Sequence, residues 1–274
     1  MNKFYEDSFY DQKMKKDYFE DVILDKTLLN DVLKFHQSTT FYGYNYYTAN
    51  ENDELLLTWM NSTEYTDVLP NFVIEEVAFD EIPLKRKASM RDFDKEYCMS
   101  KSKFGHLLNE AFGRDDTSFS KRYPSAGALY PVFPIIYIFS PDAAEGLSMG
   151  CYVFDSHKIR LLKIKDFCSK DTAAICSAIS NDDFPSYLAI GYAIDLKRAV
   201  TKYRRRGYRH ALIEVGLMAQ SFREACRDVD DELGELCWSG FSDHQLAHAS
   251  GLNPRLSPIG LLQWFGRTHD KHDI

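Results

Sequence analysis

Lys202 and Tyr203 stand side by side at the head of a basic run, with Arg204, Arg205 and Arg206 next and Arg209 close behind. From Lys197 to Arg209, seven of thirteen residues are Lys or Arg, in a chain whose 41 Asp and Glu outnumber its 33 Lys and Arg. An amine and a phenol can each accept a proton once deprotonated. Their ordinary pKa values, about 10.4 and about 10, leave neither as a base at neutral pH. Surrounding cations favour the neutral amine and the phenolate, so the arginines are a setting that tunes both downward. The cluster could instead hold a polyanion. The net charge of −8 argues against general nucleic-acid affinity and makes any such site local.

Two further strings carry chemistry. In "RKASMRDF" (Arg86 to Phe93), Lys87, Ser89 and Arg91 alternate, so an extended segment projects two cations and a hydroxyl to one side, a set suited to a phosphate. In "PSAGALYP" (Pro124 to Pro131), Ser125, Ala126, Gly127 and Ala128 are all small and lie between two prolines. Backbone there can approach a flat ligand closely and offer its amides. A solvated charged strand and a tight structural turn are the alternative readings of these strings. "HQLAH" (His244 to His248) has the spacing of a zinc-binding helix, but Gln245 stands where a metalloprotease has its Glu, and a helix-surface pair is expected, with no metal.

The elements that must position these groups are legible from residue 83 onward. "SKSKFGHLLNEAFG" places Phe104, Leu107, Leu108, Ala111 and Phe112 on one helical face and stops at Gly113. "YPVFPIIYIF" and "SYLAIGYAI" read as buried strands, and "GCYVFDSHKIRLLKI" as a hairpin. From Gly207 apolar residues recur every three or four positions through Ala225, which predicts a long helix, with the basic cluster as the loop between it and the preceding strand. "ELCWSGFSD" and "LLQWFG" add strand-like segments and glycine turns. One α+β domain with a partly antiparallel sheet follows. Before residue 80 only "LLNDVLKFH" (Leu28 to His36) is helix-like, and "FYGYNYYTANEN" reads as a loop.

In order along the chain, "RKASMRDF", "RYPSAGALYP", "CYVFDSHKIRLL", "KYRRRGYRHALIEVGLMAQS", "WSGFSD" and "LLQWFG" together resemble the FMN-dependent azoline dehydrogenases of the nitroreductase-like superfamily, and most of all the oxidase subunit of microcin-type azole synthetases. The resemblance runs from about residue 83 to 266. It implies an α+β fold with a mixed, largely antiparallel sheet flanked by helices, and an intertwined homodimer with FMN at each subunit interface. It implies that Lys202 and Tyr203 are catalytic, and that Lys87, Ser89 and Arg91 hold the FMN phosphate. Ser125, Ala126 and Gly127 would line the isoalloxazine edge and Ser239 and Gly240 the ring, with Gln220 and Arg267 as further cofactor contacts. Lys87 replaces a more usual Arg, and Ser239 a frequent Gly. The implied reaction is oxidation of thiazoline or oxazoline rings to thiazoles or oxazoles in a ribosomally made precursor peptide, beside cyclodehydratase partner subunits.

Composition sets the outer bounds. Hydrophobic content of 45% and aromatic content of 14% can fill a core. The six cysteines show no CxxC spacing, the first residues lack an apolar signal core, and the longest near-apolar run is about half a membrane span. A cytoplasmic chain without membrane or nucleic-acid partners is expected. Residues 1 to 80 read as an N-terminal extension available for docking a partner or peptide, and 81 to 274 as the FMN-binding domain. Two competing functions stand beside the first: a generic FMN nitroreductase or NAD(P)H oxidoreductase, and a non-enzymatic anion-binding module.

Overall fold

A computed structural model describes residues 9–41, 53–63, 66–83 and 88–269. Its residues fall into two compact units, one made of 1–43 with 89–274 and the other of 44–88. Within the smaller unit, helix α3 (Asp53–Thr63) is followed by irregular chain over 66–83. Leu56, Trp59, Phe72, Ile74 and Phe79 there are exposed, and none of this unit's described residues is buried.

The larger unit is built on six strands: β1 (Val132–Ile138), β2 (Gly150–Asp155), β3 (Arg160–Asp166), β4 (Leu188–Ile194), β5 (Leu233–Trp238) and β6 (Ile259–Arg267). Their order is β3-β2-β1-β4-β6-β5, and every neighbouring pair is antiparallel. The mixed sheet expected from the sequence is therefore antiparallel throughout the described strands. Strands β1, β2 and β3 follow one another, joined first by the longer connection 139–149 and then by the tight turn 156–159, and the chain reverses each time.

Both faces of the sheet are covered, which is why β1 and β4 read as continuous apolar runs rather than alternating ones. Leu188, Ile190, Tyr192 and Ile194 point into one core, with Ile136 and Phe265. Helices α2 (Lys26–Ser38), α4 (Lys101–Phe112), α6 (Leu196–Tyr203) and α7 (Arg205–Val229) supply the rest of that core. On the other face Ala189, Ile135, Tyr137 and Trp264 meet residues of α5 (Ser169–Ala178) and α8 (Asp243–Ala249). The remaining helix, α1 (Phe9–Ile23), lies against α6. At 25 residues α7 spans about 37 Å, and its buried stripe from Tyr208 to Cys226 runs beneath the sheet. Among the described residues no helix is long and apolar enough to cross a membrane.

The basic cluster is helical and not a loop. Lys197 to Tyr203 belong to α6, the chain breaks at Arg204 with φ 54° and ψ −141°, and α7 starts at Arg205. Apolar Leu196, Ala199 and Val200 recur at helical spacing between the charges and are buried, so packing fixes the helix. Gly207 permits the sharp break. A Cβ there would lie 1.8 Å from the Ala199 carbonyl oxygen.

The N-terminal helices answer the positive charge. Lys197 pairs with Asp21 at 2.8 Å, Arg204 with Asp25 at 3.1 Å, and Arg205 with Asp31. Asp25 does two things at once: its carboxylate caps α2 by accepting from the Thr27 and Leu28 amides and also receives Arg204. The Leu28 amide first, and Arg204 after it, hold this carboxyl below its usual range. Arg206 and Arg209 are exposed, with no ion pair among the described residues.

A loop from Arg114 to Tyr130 leads into β1 and rests on a partly buried cation. Lys121 lies 5.3 Å from the Tyr130 ring centre and 5.6 Å from that of Tyr123, and Arg114 sits over Tyr130 at 4.7 Å. Burial first, then the Arg114 charge, push the Lys121 amine from 10.5 down to about 8, against the opposing pull of Glu214.

Two outcomes follow from these charges. A carboxyl held low in the folded state adds stability above its unfolded pKa of 3.8, which is lost as pH falls. Asp25→Ala should lower the thermal midpoint by a few degrees at pH 7, and this difference should shrink below pH 3.8 in scanning calorimetry. Lys121 is lowered too and gives a slope of the same sign in a higher window: between pH 8 and 10.5 the unfolded chain holds the extra proton, so stability rises with pH. Lys121→Met should flatten that rise in urea unfolding series across the same window.

Candidate active site

Lys202 and Tyr203 end α6, and the Ser125–Tyr130 turn ends the loop that feeds β1. These two pieces of chain, more than seventy residues apart, meet at Gly127. A Cβ on Gly127 would lie 2.4 Å from the Tyr203 hydroxyl oxygen and 2.8 Å from Lys202 Nζ, so a side chain there would displace the tips of both. Its φ of 62° adds a second reason, because that region is strained for other residues. Ala128 and Tyr130 share the left-handed region, with φ 54° and 47°. Three such residues in four make a turn that must be held from outside.

Glu214 on α7 is one such hold. Its side chain is buried, and its carboxylate accepts from the Val132 amide at 3.4 Å and from the Ser125 hydroxyl. Ser125 Oγ in turn accepts from the Tyr130 amide at 2.9 Å. Burial raises the Glu214 carboxyl above its ordinary range, while the two hydrogen bonds and the Lys121 and Arg198 charges pull it back. The carboxylate thus ties α7 to both ends of the turn. Gly127 and Ala128 remain exposed, as does Lys202, while Ala126, Leu129 and Tyr203 are half-buried.

Lys202 Nζ lies 5.2 Å from the centre of the Tyr203 ring. His210 of α7 stacks on the same ring, with centroids 5.1 Å apart and planes 22° from parallel. Because Arg204 and Arg205 are matched by α2 carboxylates, the field at Tyr203 is weaker than four unpaired arginines would provide.

The other expected site residues lie in separate places. Ser89 Oγ accepts from Arg223 Nη2 at 3.4 Å, and Arg91 nearby is exposed. Arg223 Nε donates to the buried Glu235 at 2.5 Å; Gln263 donates to the other Glu235 oxygen and accepts from Tyr192. Lys87 lies outside the described residues. Ser239 is exposed and Gly240 half-buried between β5 and α8, where the Gly240 carbonyl accepts from Trp238 Nε1. Gln220 is exposed and donates to Glu224. Arg267 donates twice to Glu232 and covers Tyr97. His244 and His248 share α8, and no group of three metal-binding side chains occurs among the described residues.

Sequence reasoning missed His210, Glu214, Lys121 and Arg223 as parts of these clusters. His210 and Glu214 are four apart on one helix, the spacing that puts both on one side of α7, and that was the available signal.

These residues fit a flavin nucleotide in two respects. The turn exposes backbone at Gly127, and the Ser89 hydroxyl lies against the Arg223 guanidinium, a hydroxyl-and-cation pair of the kind that binds phosphate.

No profile of a known protein family matches the chain. The microcin B17-processing protein McbC of Escherichia coli is 30% identical over 194 residues, which are 68% of this chain and 65% of McbC, so the aligned stretch spans just under two thirds of that relative. The protein MJ1384 of Methanocaldococcus jannaschii, assigned to the nitroreductases, is 28% identical over 176 residues, 63% of this chain and 84% of that protein. A chain in the structure of the E. coli microcin synthetase McbBCD complex with truncated pro-MccB17 bound superposes with a TM-score of 0.78 at 24% identity, covering 92% of this chain and 97% of that one. The chain therefore has a nitroreductase-like fold and is similar in sequence to the microcin B17-processing protein McbC.

Proposed function

We propose that this protein is an FMN-dependent azoline dehydrogenase: the oxidoreductase that converts thiazoline or oxazoline rings of a ribosomally made precursor peptide into thiazoles or oxazoles. The observation that carries the reading is the meeting of Lys202 and Tyr203 at Gly127, an amine and a phenol presented on an exposed turn of small residues. In this reading FMN is held by Ser89, Arg91, Arg223 and Lys87 at its phosphate, by the Ser125–Gly127 backbone along the ring edge, and by Ser239 and Gly240. Arg267 and Gln220 already donate to Glu232 and Glu224, so the proposal does not rest on them.

Aromatising an azoline ring removes two hydrogens, one of them as a proton from a ring carbon. FMN supplies the two-electron acceptor for this oxidation. The proton goes to the Lys202 and Tyr203 pair, at Nζ or at the phenol oxygen, both of which border the turn. Glu214 keeps the turn in the left-handed shape that the pair requires.

The partners in this proposal are those named for the microcin synthetase: a precursor peptide and companion subunits, here cyclodehydratases, with the chain itself as a homodimer in the cytoplasm. Residues 1 to 80 serve as the docking region. Met14, Tyr18, Phe19, Val22 and Ile23 are exposed on α1, and Leu55, Leu56, Leu57, Trp59 and Met60 are separately exposed on α3; each helix shows apolar side chains of the kind that partners cover.

Purified protein should be yellow with flavin absorption, and with its companion subunits should remove two hydrogens per azoline ring by mass spectrometry. Lys202→Ala and Tyr203→Ala should each retain the flavin and lose aromatisation by about a hundredfold or more. Wild-type rates in both variants, or rapid flavin reduction by NAD(P)H with no azoline oxidation, would favour a generic oxidoreductase instead. Gly127→Ala should lower the rate at least about tenfold, because its Cβ takes the space of the Tyr203 hydroxyl.

A further inference from the structure

Tyr203 is held in an unusual way. Neither its hydroxyl nor the His210 imidazole makes a hydrogen bond among the described residues, although both side chains are half-buried. A phenol with no hydrogen bond is free to swing about its side-chain torsions, and a group that must meet a ring carbon loses rate with each orientation it samples. What limits Tyr203 is contact. Lys202 Nζ lies 5.2 Å from its ring centre, the Gly127 turn faces its hydroxyl, and the His210 ring covers it at 5.1 Å.

Of these contacts only the stack acts on the body of the ring with a second flat surface. The separation and the 22° tilt fall in the range of offset-stacked aromatic pairs. The fold places His210 there by a specific route. The break at Arg204 reverses the chain, Gly207 seats the start of α7 on the Ala199 carbonyl, and His210 comes back over the end of α6. One turn further along the same helix, Glu214 anchors the opposite side of the contact, the turn that carries Gly127. A single rigid helix therefore sets both partners of the Tyr203–Gly127 approach.

We propose that His210 is a positioning residue for the reaction: its imidazole, stacked on Tyr203, holds the phenol against the Gly127 turn. The inference rests on the assignment of Lys202 and Tyr203 to proton removal.

The test compares His210→Ala with His210→Phe in the flavin-loaded protein, assayed with its companion subunits on an azoline-containing peptide. His210→Ala should reduce kcat on the order of tenfold with KM within about twofold, because the substrate still binds and only the phenol is mis-set. His210→Phe should restore kcat to within about threefold, since phenylalanine offers the same stacking face. A separate reading needs no turnover. In histidine-labelled protein, the His210 carbon-bound ring proton should resonate upfield of the exposed histidines and move downfield in Tyr203→Leu. The inference is overturned by a wild-type kcat in His210→Ala, by a His210→Phe as slow as His210→Ala, or by a His210 resonance indifferent to Tyr203. Should Lys202→Ala and Tyr203→Ala both keep the wild-type rate, the functional reading itself falls. Should those two lose the rate while His210→Ala keeps it, only the role of His210 falls.

Discussion

Everything at the candidate site depends on one close approach, that of the Tyr203 hydroxyl and the Lys202 amine to the α-carbon of Gly127. Two constraints coincide there. A side chain would displace both of those groups, and a φ of 62° disfavours every residue with one. A turn with three left-handed residues does not hold itself, and its conformational cost is offset by Glu214, a buried carboxylate hydrogen-bonded to Ser125 and Val132. Burying that carboxylate is in turn tolerable because its oxygens are satisfied and Lys121 and Arg198 lie near. The site is thus a chain of local compromises, each supported by α7.

Helix α7 can bear this because it is fastened along its length. Met218, Ala219, Phe222 and Ala225 pack on the sheet face formed by Ile190, Tyr192 and Phe265, and the Phe112–Phe222 rings stack at 5.8 Å. Its neighbour α6 is locked at Gly207. The salt bridges to Asp21, Asp25 and Asp31 lie at the surface, where each contributes little individually. Their value is directional: they bring α1 and α2 over the α6–α7 break with matched charge. The acidic N-terminal part and the basic cluster, opposite in sign and distant in sequence, are two halves of one surface.

Much of this architecture was legible beforehand. Strands β1 to β4 and helices α4 and α7 follow from apolar periodicity, since burial on one or both faces writes itself into residue spacing. The meeting of Gly127 with Lys202 and Tyr203 was foreshadowed only as motifs that occur together in a family; nothing in either string names the other. The basic cluster misled as a loop because its charges outnumber the three buried residues that make it a helix. Sheet direction was half legible: hairpins announce themselves, but the pairing of β4 with β6, joined through three helices and β5, does not. His210 had a spacing signal toward Glu214 on its own helix, but none toward Tyr203, which lies across the helix break.

The sequence alone determined which groups are available: a Lys-Tyr pair, a turn of small residues, a hydroxyl flanked by cations, and the local elements that bear them. Those are properties of residue type and near-neighbour spacing, and short-range physics decides them. Tertiary structure alone decided that Arg204 and Arg205 answer α2, that Ser89 meets Arg223, and that Glu214 and His210 act on opposite partners of one contact. Those facts depend on how the α6–α7 break turns and where the sheet sets α7. Both are fixed by long-range packing, which no window of sequence contains.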